Sequence, residues 1–234
     1  MIRALLFDAG NTLIRMDYAA IAAALAGYGV TVTPEAVQRA EWSARVRLDT
    51  DLFAPATVFS TETSDTTARY TRYVLEGVGV HDPAVHAKLT EWRRVYNPPV
   101  GLWTVAEPEA AEALALVRKA GLVAGVVSNS NGTIRRILDS LDLTRHLDFV
   151  LDSQEEGLEK PDPRFFHRAL TRAGVGPDEA AYIGDLYSVD VVGARRVGVH
   201  AVLMDPGGCW GARDCPCAPT VLDAVRLVLA DGGR

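Results

Sequence analysis

The chain has 234 residues, of which 48% are hydrophobic and 23% are charged, and its formal net charge is −6. This length is sufficient to bury a sizeable apolar core. The acidic balance excludes a general nucleic-acid binder, because neutralising phosphates requires a basic face. No apolar run reaches the roughly 20 residues that a membrane helix needs, and the N-terminal apolar run is too short for a signal peptide.

Three cysteines lie close together near the end of the chain, Cys209, Cys215 and Cys217. An odd number of clustered cysteines does not indicate a disulfide framework. Their spacing matches no common zinc finger, so we assign them neither a metal nor another role. We expect a reduced, cytoplasmic protein, a monomer or homodimer, with neither a nucleic acid nor a membrane as its partner.

The first predicted element is a strand over residues 2–7, a nearly continuous apolar run of the kind found in strands that are covered on both faces. Helical spacing then extends over residues 17–96. It predicts one helix that begins at Pro34 and two that cover residues 66–75 and 84–95. Residues 49–64, rich in Thr, Ser and Asp, predict a long loop of the kind that is often functional or mobile.

After residue 97 the pattern changes to alternating strands and helices. The predicted strands cover residues 122–127, 147–151, 180–183 and 199–203, and the helices between them include residues 108–119 and 163–173. This alternation predicts right-handed crossovers and a doubly wound parallel α/β sheet. The catalytic core is then residues 1–16 and 97–234, and residues 17–96 form a helical domain inserted after the first strand.

Polar side chains follow four of the predicted strands. Asp8 follows the first strand, Ser128 and Asn129 follow the second, and Lys160 and Asp185 come after the next two. Ligands of parallel sheets bind beyond the carboxyl ends of the strands. Two carboxylates, a hydroxyl and an ammonium suit a phosphoryl group with a divalent cation, and one carboxylate can act as the nucleophile.

These segments together resemble the haloacid dehalogenase-like hydrolase superfamily. The matching segments appear in the family's order: LFDAGNTL at residues 6–13, VVSNS at 126–130, EKPDP at 159–163 and IGDLYSVD at 183–190. The resemblance spans residues 2 to about 203. It implies a Rossmann-like core, with residues 17–96 as the cap that many members insert between the first and second motifs.

The resemblance implies a metal-dependent phosphatase acting on small phosphorylated molecules. Asp8 would attack phosphorus and form an aspartyl-phosphate that water later hydrolyses. Mg²⁺ would be held by one oxygen of Asp8, the backbone carbonyl of Gly10 and the carboxylate of Asp185. Oxygen ligands are what this small, hard ion prefers.

The remaining motif residues would act on the phosphoryl group. Ser128 would hydrogen-bond a phosphoryl oxygen, with Asn129 beside it in the substrate site. Lys160 would neutralise charge on Asp8 and on the transferring group, and Asp190 would orient Lys160 or a metal-bound water. The cap would exclude water and select the leaving group.

The sequence departs from the family pattern at one position that bears on the chemistry. Phosphatases of this family usually carry a second Asp two residues after the nucleophile as the general acid and base. Here that position is Gly10, and the glycine that usually follows is Asn11. General acid–base catalysis is typically worth about 10²–10⁴-fold. We therefore expect slow turnover of alkyl phosphates unless another group, such as Asn11 acting through a water, replaces the acid.

Several of these residues also have purely structural interpretations. Ser128 is placed to cap the next helix, and Lys160 is compatible with an ordinary surface position. A carboxylate such as Asp190 at a helix start complements the helix dipole without any chemistry. In the inserted domain, Arg45 and Arg47 are candidates to reach a substrate, although a solvated helix face explains them equally well.

Three other functions remain open from the sequence. A dehalogenase would use Asp8 on carbon without a metal, which leaves Asp185 and Asp190 without a task. A phosphonate-cleaving enzyme would need a Schiff-base lysine, and Lys88, the lysine of the inserted domain, does not match the expected position. A catalytically weak homologue that only binds a phosphorylated ligand would account for Gly10.

Overall fold

The computed structural model describes residues 1–54 and 60–231 of the chain. The chain forms two compact units, one of Met1–Arg15 with Val105–Arg234 and one of Met16–Thr104. We call them the core unit and the cap unit, and the function of the second as a cap stays a prediction. Within the described residues, we find no helix whose length and hydropathy would let it cross a membrane.

The strands are short and most of them belong to one sheet. In chain order they are β1 (Ala4–Phe7), β2 (Ile14–Met16), β3 (Trp103–Ala106), β4 (Val123–Ser128), β5 (Phe149–Asp152), β6 (Ala180–Gly184), β7 (His200–Met204) and β8 (Cys217–Ala218). Six of them form a parallel sheet in the order β5-β4-β1-β6-β7-β8. Strands β1 and β6 are buried along their whole length, as expected for central strands of a sheet with helices on both faces.

The helices divide between the two units. In chain order they are α1 (Tyr18–Gly27), α2 (Pro34–Leu48), α3 (Ser64–Gly77), α4 (Pro83–Val95), α5 (Ala110–Lys119), α6 (Ile134–Ser140), α7 (Ser153–Glu156), α8 (Pro163–Ala173), α9 (Val192–Arg196) and α10 (Val221–Asp231). The termini follow from local chemistry. For example, the side chain of Asp162 accepts the Arg164 N–H at the start of α8, and Gly174 ends that helix in the left-handed conformation.

The cap unit is built on α1–α4 and buries an ion pair. In α2, Arg45 donates from Nε and Nη2 to the two carboxylate oxygens of Glu41, across 2.9 and 2.5 Å. The hydroxyls of Tyr18 and Tyr70 donate to the same carboxylate. The solvated helix face suggested for Arg45 is therefore wrong, because this side chain is buried against its partner. Arg47 is exposed and pairs with Glu76.

The parallel α/β sheet predicted from the sequence is confirmed. The predicted loop over residues 49–64 is wrong at its start, because Asp49–Phe53 forms a π-helical turn that continues α2. Residues 55–59 of that predicted loop lie outside the described residues. The sequence also did not predict β2 and β3, which pair with each other, or the edge strand β8.

Candidate active site

Three adjacent strands of the core sheet carry polar side chains at their carboxyl ends. Asp8 follows β1, Ser128 is the last residue of β4, and Asp185 follows β6. Strand β1 lies between the other two, and the backbone N–H of Asp8 donates to the carbonyl of Ile183 across 2.8 Å. Because the strands are parallel, all three side chains arise at the same edge of the sheet.

The ammonium group of Lys160 is the centre of a buried hydrogen-bond cluster. It donates to Oδ1 of Asp8 across 2.6 Å, to Oδ1 of Asp190 across 2.7 Å and to the hydroxyl of Tyr182 across 2.8 Å. An ammonium has three N–H donors, so each of them has one acceptor. Lys160 is only 3% exposed, and a buried charge of this kind is tolerated only when it is paired and hydrogen-bonded.

Burial and neighbouring charges determine how these groups ionise. Burial raises the pKa of Asp8 to about 6; Lys160 opposes this shift and Asp190 adds to it. Burial alone would lower the pKa of Lys160, but the carboxylates of Asp190 and Asp8 outweigh it and raise that pKa above its usual range. Burial, together with the charge of Asp190, also raises the pKa of Tyr182 well above its ordinary value. At neutral pH, Lys160 is therefore a cation and Tyr182 a neutral hydroxyl.

Asp190 uses both of its carboxylate oxygens. Oδ1 accepts from Lys160, and Oδ2 accepts the backbone N–H groups of Asp185 and Leu186 across 3.1 and 2.9 Å. A Cβ on Gly184 would lie 2.5 Å from the Asp190 carboxyl carbon, so the strand end leaves no space for a larger residue. Asp190 thus connects the ammonium to the backbone that carries Asp185.

A set of carboxylates suited to a cation lies at this edge. The ligand oxygens of Asp8, Asp185 and Asp190 are within 4.8 Å of one another. Asp190 already accepts from Lys160 and two amides, so Asp8 and Asp185 are the better candidates, together with the backbone carbonyl of Gly10 in the loop after β1. All three offer the hard oxygen donors that Mg²⁺ binds, so the residues present fit this ion.

The second motif is connected to the third through its asparagine. Oδ1 of Asn129 accepts the backbone N–H of Lys160 across 2.7 Å, and its Nδ2 donates to the Lys160 carbonyl across 3.0 Å. Asn129 therefore holds the backbone of Lys160. The hydroxyl of Ser128 makes a weaker bond, to the carbonyl of Asn129 across 3.3 Å.

Two buried residues of this region were not singled out from the sequence. Tyr182 lies in the middle of β6, and a tyrosine inside an apolar strand is itself a signal, since a buried hydroxyl needs a partner. Asp152 ends β5, and its carboxylate accepts backbone N–H groups of Gly132, Ile134 and Gln154. It therefore organises the loop after β4.

The cysteines do not belong to this group of possible metal ligands. Cys209, Cys215 and Cys217 are free thiols, and the two latter have raised pKa values, chiefly because of partial burial. Within residues 1–54 and 60–231, the group of acids, cysteines and histidines close enough to share a metal is Asp8, Asp185 and Asp190.

Comparison with known proteins gives many similarities, of which three bear on function. The chain is 41% identical over 147 residues to haloacid dehalogenase-like hydrolase domain-containing protein 3 of Bos taurus, covering 63% of this chain and 55% of that protein. It is 45% identical over 101 residues to a phosphoserine phosphatase of Thermus thermophilus, covering 43% and 41%. The chain thus spans about half the length of the curated relatives it matches.

The third similarity is to the crystal structure of a 2-haloacid dehalogenase from Pseudomonas syringae pv. Tomato DC3000. The identity is 28% and the TM-score is 0.59, over 99% of this chain and 100% of that one. In addition, the family model for haloacid dehalogenase-like hydrolases matches residues 2–198. This match includes the four motifs that carry Asp8, Ser128, Lys160 and Asp185. The chain belongs to the haloacid dehalogenase-like hydrolase family.

Proposed function

We propose that this chain is a Mg²⁺-dependent phosphatase of small phosphorylated metabolites that works through an aspartyl-phosphate on Asp8. The observation that carries the proposal is the buried ammonium of Lys160, 2.6 Å from Asp8 and 2.7 Å from Asp190. A carboxylate nucleophile needs a cation beside it when it approaches an anionic phosphoryl group. The similarity to a phosphoserine phosphatase supports this chemistry.

The reaction has two displacements at phosphorus. In the first, a carboxylate oxygen of Asp8 bonds to phosphorus while the bond to the leaving group breaks. In the second, water attacks the aspartyl-phosphate and releases phosphate, restoring Asp8. Lys160 balances the charge of both carboxylate and phosphoryl oxygens, and Ser128 holds the phosphoryl group from the neighbouring strand. The side chain of Asn129 keeps the backbone of Lys160 in place beside it. Asp190 keeps Lys160 in place.

The same residues provide for a divalent cation. Asp8, the carbonyl of Gly10 and Asp185 would hold Mg²⁺. When bound, this ion would supply positive charge that neutralises phosphoryl oxygens and orients the substrate. The carboxylate oxygens of Asp8, Asp185 and Asp190 lie within 4.8 Å of one another, which supports an oxygen-rich site.

Gly10 limits which leaving groups are expelled fast. When an alkyl phosphate reacts, its alcohol portion leaves as an alkoxide and needs a proton, whereas acyl and aryl leaving groups do not. With no carboxyl group at residue 10, we expect acyl or aryl phosphates to be turned over faster than alkyl phosphates.

The main alternative is a 2-haloacid dehalogenase, which the 28% identity to such an enzyme favours. In that reaction Asp8 would attack carbon and displace halide. The site contains Asp185 and Asp190 close to the nucleophile, and these carboxylates would add repulsion and have no role in halide displacement. The other alternative, a homologue that binds a phosphorylated ligand without turnover, shares every contact of the site.

A phosphate-release screen distinguishes these functions. Alkyl, aryl and acyl phosphates are incubated with and without Mg²⁺, alongside 2-chloropropionate with halide detection, and Asp8→Asn is the control. We expect Mg²⁺-dependent phosphate release that Asp8→Asn abolishes. Halide release would support the dehalogenase, and binding without release of either product would support the non-catalytic homologue.

Cellular context completes the proposal. We propose a cytoplasmic monomer or homodimer whose partner is its small phosphorylated substrate. The net charge of −6 disfavours a nucleic acid as the partner. Size-exclusion chromatography with light scattering tests the oligomeric state, and fractionation of the native host tests the location.

A further inference from the structure

Tyr182 contacts the catalytic cluster from the middle of β6. Its side chain is fully buried, and its ring packs edge-on against Phe166 with the ring centroids 5.3 Å apart. The strand is hydrogen-bonded to a neighbour on each side, so the backbone of Tyr182 is fixed as well. A hydroxyl held in this way has a defined position in the site.

The Tyr182 hydroxyl can only be the acceptor in its hydrogen bond with Lys160. An ammonium cannot accept, so Lys160 donates to Tyr182 across 2.8 Å. The proton of the hydroxyl is then directed away from Lys160, to the carbonyl of Val127 at 3.0 Å or to Oδ1 of Asp190 at 3.3 Å. The shorter of these two contacts links Lys160, through Tyr182, to β4, the strand on the far side of β1.

The hydrogen bond from Lys160 to Tyr182 matters because the ammonium has three donors to satisfy. Two of the three N–H groups of Lys160 donate to Asp8 and Asp190, and the third donates to Tyr182. A lysine side chain is a flexible four-carbon stem that ends in a rotatable ammonium. Without a third acceptor, the ammonium would retain an unsatisfied buried donor and would be able to rotate away from Asp8.

We infer that Tyr182 is a positioning residue, whose hydroxyl accepts the third N–H of Lys160 and thereby holds another N–H on Oδ1 of the nucleophile Asp8. This inference rests on the proposed function for its effect on turnover. The contact itself is measurable without turnover. A neutral hydroxyl is suited to this task because it satisfies the donor without adding a third negative charge.

The test uses the full chain with Tyr182→Phe, which keeps the ring and removes the hydroxyl. We expect kcat with an aryl phosphate to fall about 10-fold, as for loss of a buried hydrogen bond to a charged group, with KM unchanged. The matched control is Tyr73→Phe, which removes a hydroxyl bonded to Asp51 in the cap unit. That variant should keep the wild-type kcat.

A second measurement observes Lys160 directly. The chain has three lysines, and Lys88 and Lys119 are exposed, so ¹⁵N-lysine NMR gives few ammonium signals to assign. We expect the Lys160 ammonium protons to exchange slowly with water in the wild-type protein and faster in Tyr182→Phe. The Tyr73→Phe control should leave this exchange unchanged.

The outcomes separate the inference from the proposed function. If the wild-type protein releases no phosphate, the proposed function fails, and the NMR comparison still decides whether Tyr182 holds Lys160. An exchange rate for Lys160 that matches Lys88 in the wild-type protein overturns the inference without any variant. An unchanged Lys160 signal in Tyr182→Phe, or an unchanged kcat in an active enzyme, overturns it as well.

Discussion

Nδ2 of Asn11 donates a hydrogen bond to Oδ2 of Asp185 across 3.0 Å, which connects the loop after β1 to the residue that follows β6. Asn11 has a φ of 52°, in the left-handed region that Asn adopts more readily than most residues other than Gly. Where the family pattern has glycine, this chain therefore has a residue that tolerates the left-handed backbone and also supplies a donor. That donor is directed at a carboxylate we propose as a metal ligand.

The first prediction concerns this donor. Asn11→Gly preserves the left-handed backbone and removes the amide, so Asp185 loses an orienting partner. We expect the Mg²⁺ concentration for half-maximal activity to rise about 10-fold, as for loss of other groups that orient metal ligands. Asn11→Ala should show the same change plus a loss of about 1 kcal/mol of stability, since alanine is strained at this φ. A wild-type Mg²⁺ requirement in Asn11→Gly would show that the contact does not serve the metal.

The strand ends were predictable from the sequence for a physical reason. Apolar runs without interruption mark strands that are covered on both faces, and parallel strands bring their carboxyl ends to one edge. Asp8 and Asp185 follow directly from these two rules. Lys160 was placed in the same set, although it lies in the loop between α7 and α8, beyond the end of its strand.

The contacts that organise the site were not predictable in the same way. Tyr182 lies in a strand that is buried along its whole length. The strand therefore has no alternation of apolar and polar residues that would indicate which face Tyr182 is on or what it contacts. The pairing of Asn129 with the backbone of Lys160 joins the residue after β4 to a loop 31 residues further along the chain. Such contacts depend on distances across the sheet, which a single sequence does not contain.

The second prediction is that Asp190→Asn destabilises the folded protein. Asp190 accepts hydrogen bonds on both oxygens, from Lys160 on one and from the amides of Asp185 and Leu186 on the other. An asparagine has a single acceptor oxygen, so its NH₂ group must face either the ammonium or the two amides. We expect a loss of about 3–5 kcal/mol in the free energy of unfolding, as for other broken buried ion pairs. Urea unfolding measures this loss, and Asp65→Asn on the exposed face of α3 should have no such effect.

The third prediction uses the contact between Gly184 and Asp190. A Cβ at residue 184 would come within 2.5 Å of the Asp190 carboxyl carbon, so Gly184→Ala must displace that side chain. We expect turnover to fall about 10-fold or more, because small displacements at a catalytic site are costly. Gly27→Ala is the control, since no atom lies within 4 Å of its added methyl group. Equal activity of the two variants would contradict the role of Asp190.

The fourth prediction concerns the pH dependence of stability in the metal-free protein. The pKa of Asp8 is raised from 3.8 to about 6, so the folded chain holds this proton to a higher pH than the unfolded chain does. The stability that the protonated Asp8 contributes is therefore complete below about pH 4 and is lost as the pH rises to about 6. In EDTA at pH 8, Asp8→Asn should be more stable than the wild type by about 1–3 kcal/mol.

Differential scanning calorimetry of both proteins from pH 4 to 8 measures this difference. Titrating groups distant from Asp8 contribute equally to the two proteins and cancel in the comparison. Saturating Mg²⁺ should reduce or reverse the advantage of Asp8→Asn, because the ion stabilises the form that binds it more tightly. A difference between the two proteins that does not change with pH would contradict the raised pKa.

The last prediction addresses the missing acid. Gly10→Asp introduces a carboxyl group two residues after the nucleophile, the position at which related phosphatases carry their general acid. If no other group already delivers the proton, turnover of an alkyl phosphate should rise by up to about 10²-fold, while an acyl phosphate, which needs no proton on its leaving group, should be little affected. The ratio of the two rates is the measurement, because it cancels changes in folding or metal affinity. An unchanged ratio in a folded, Mg²⁺-binding variant would mean that another group, such as Asn11 acting through a water, already protonates the leaving group.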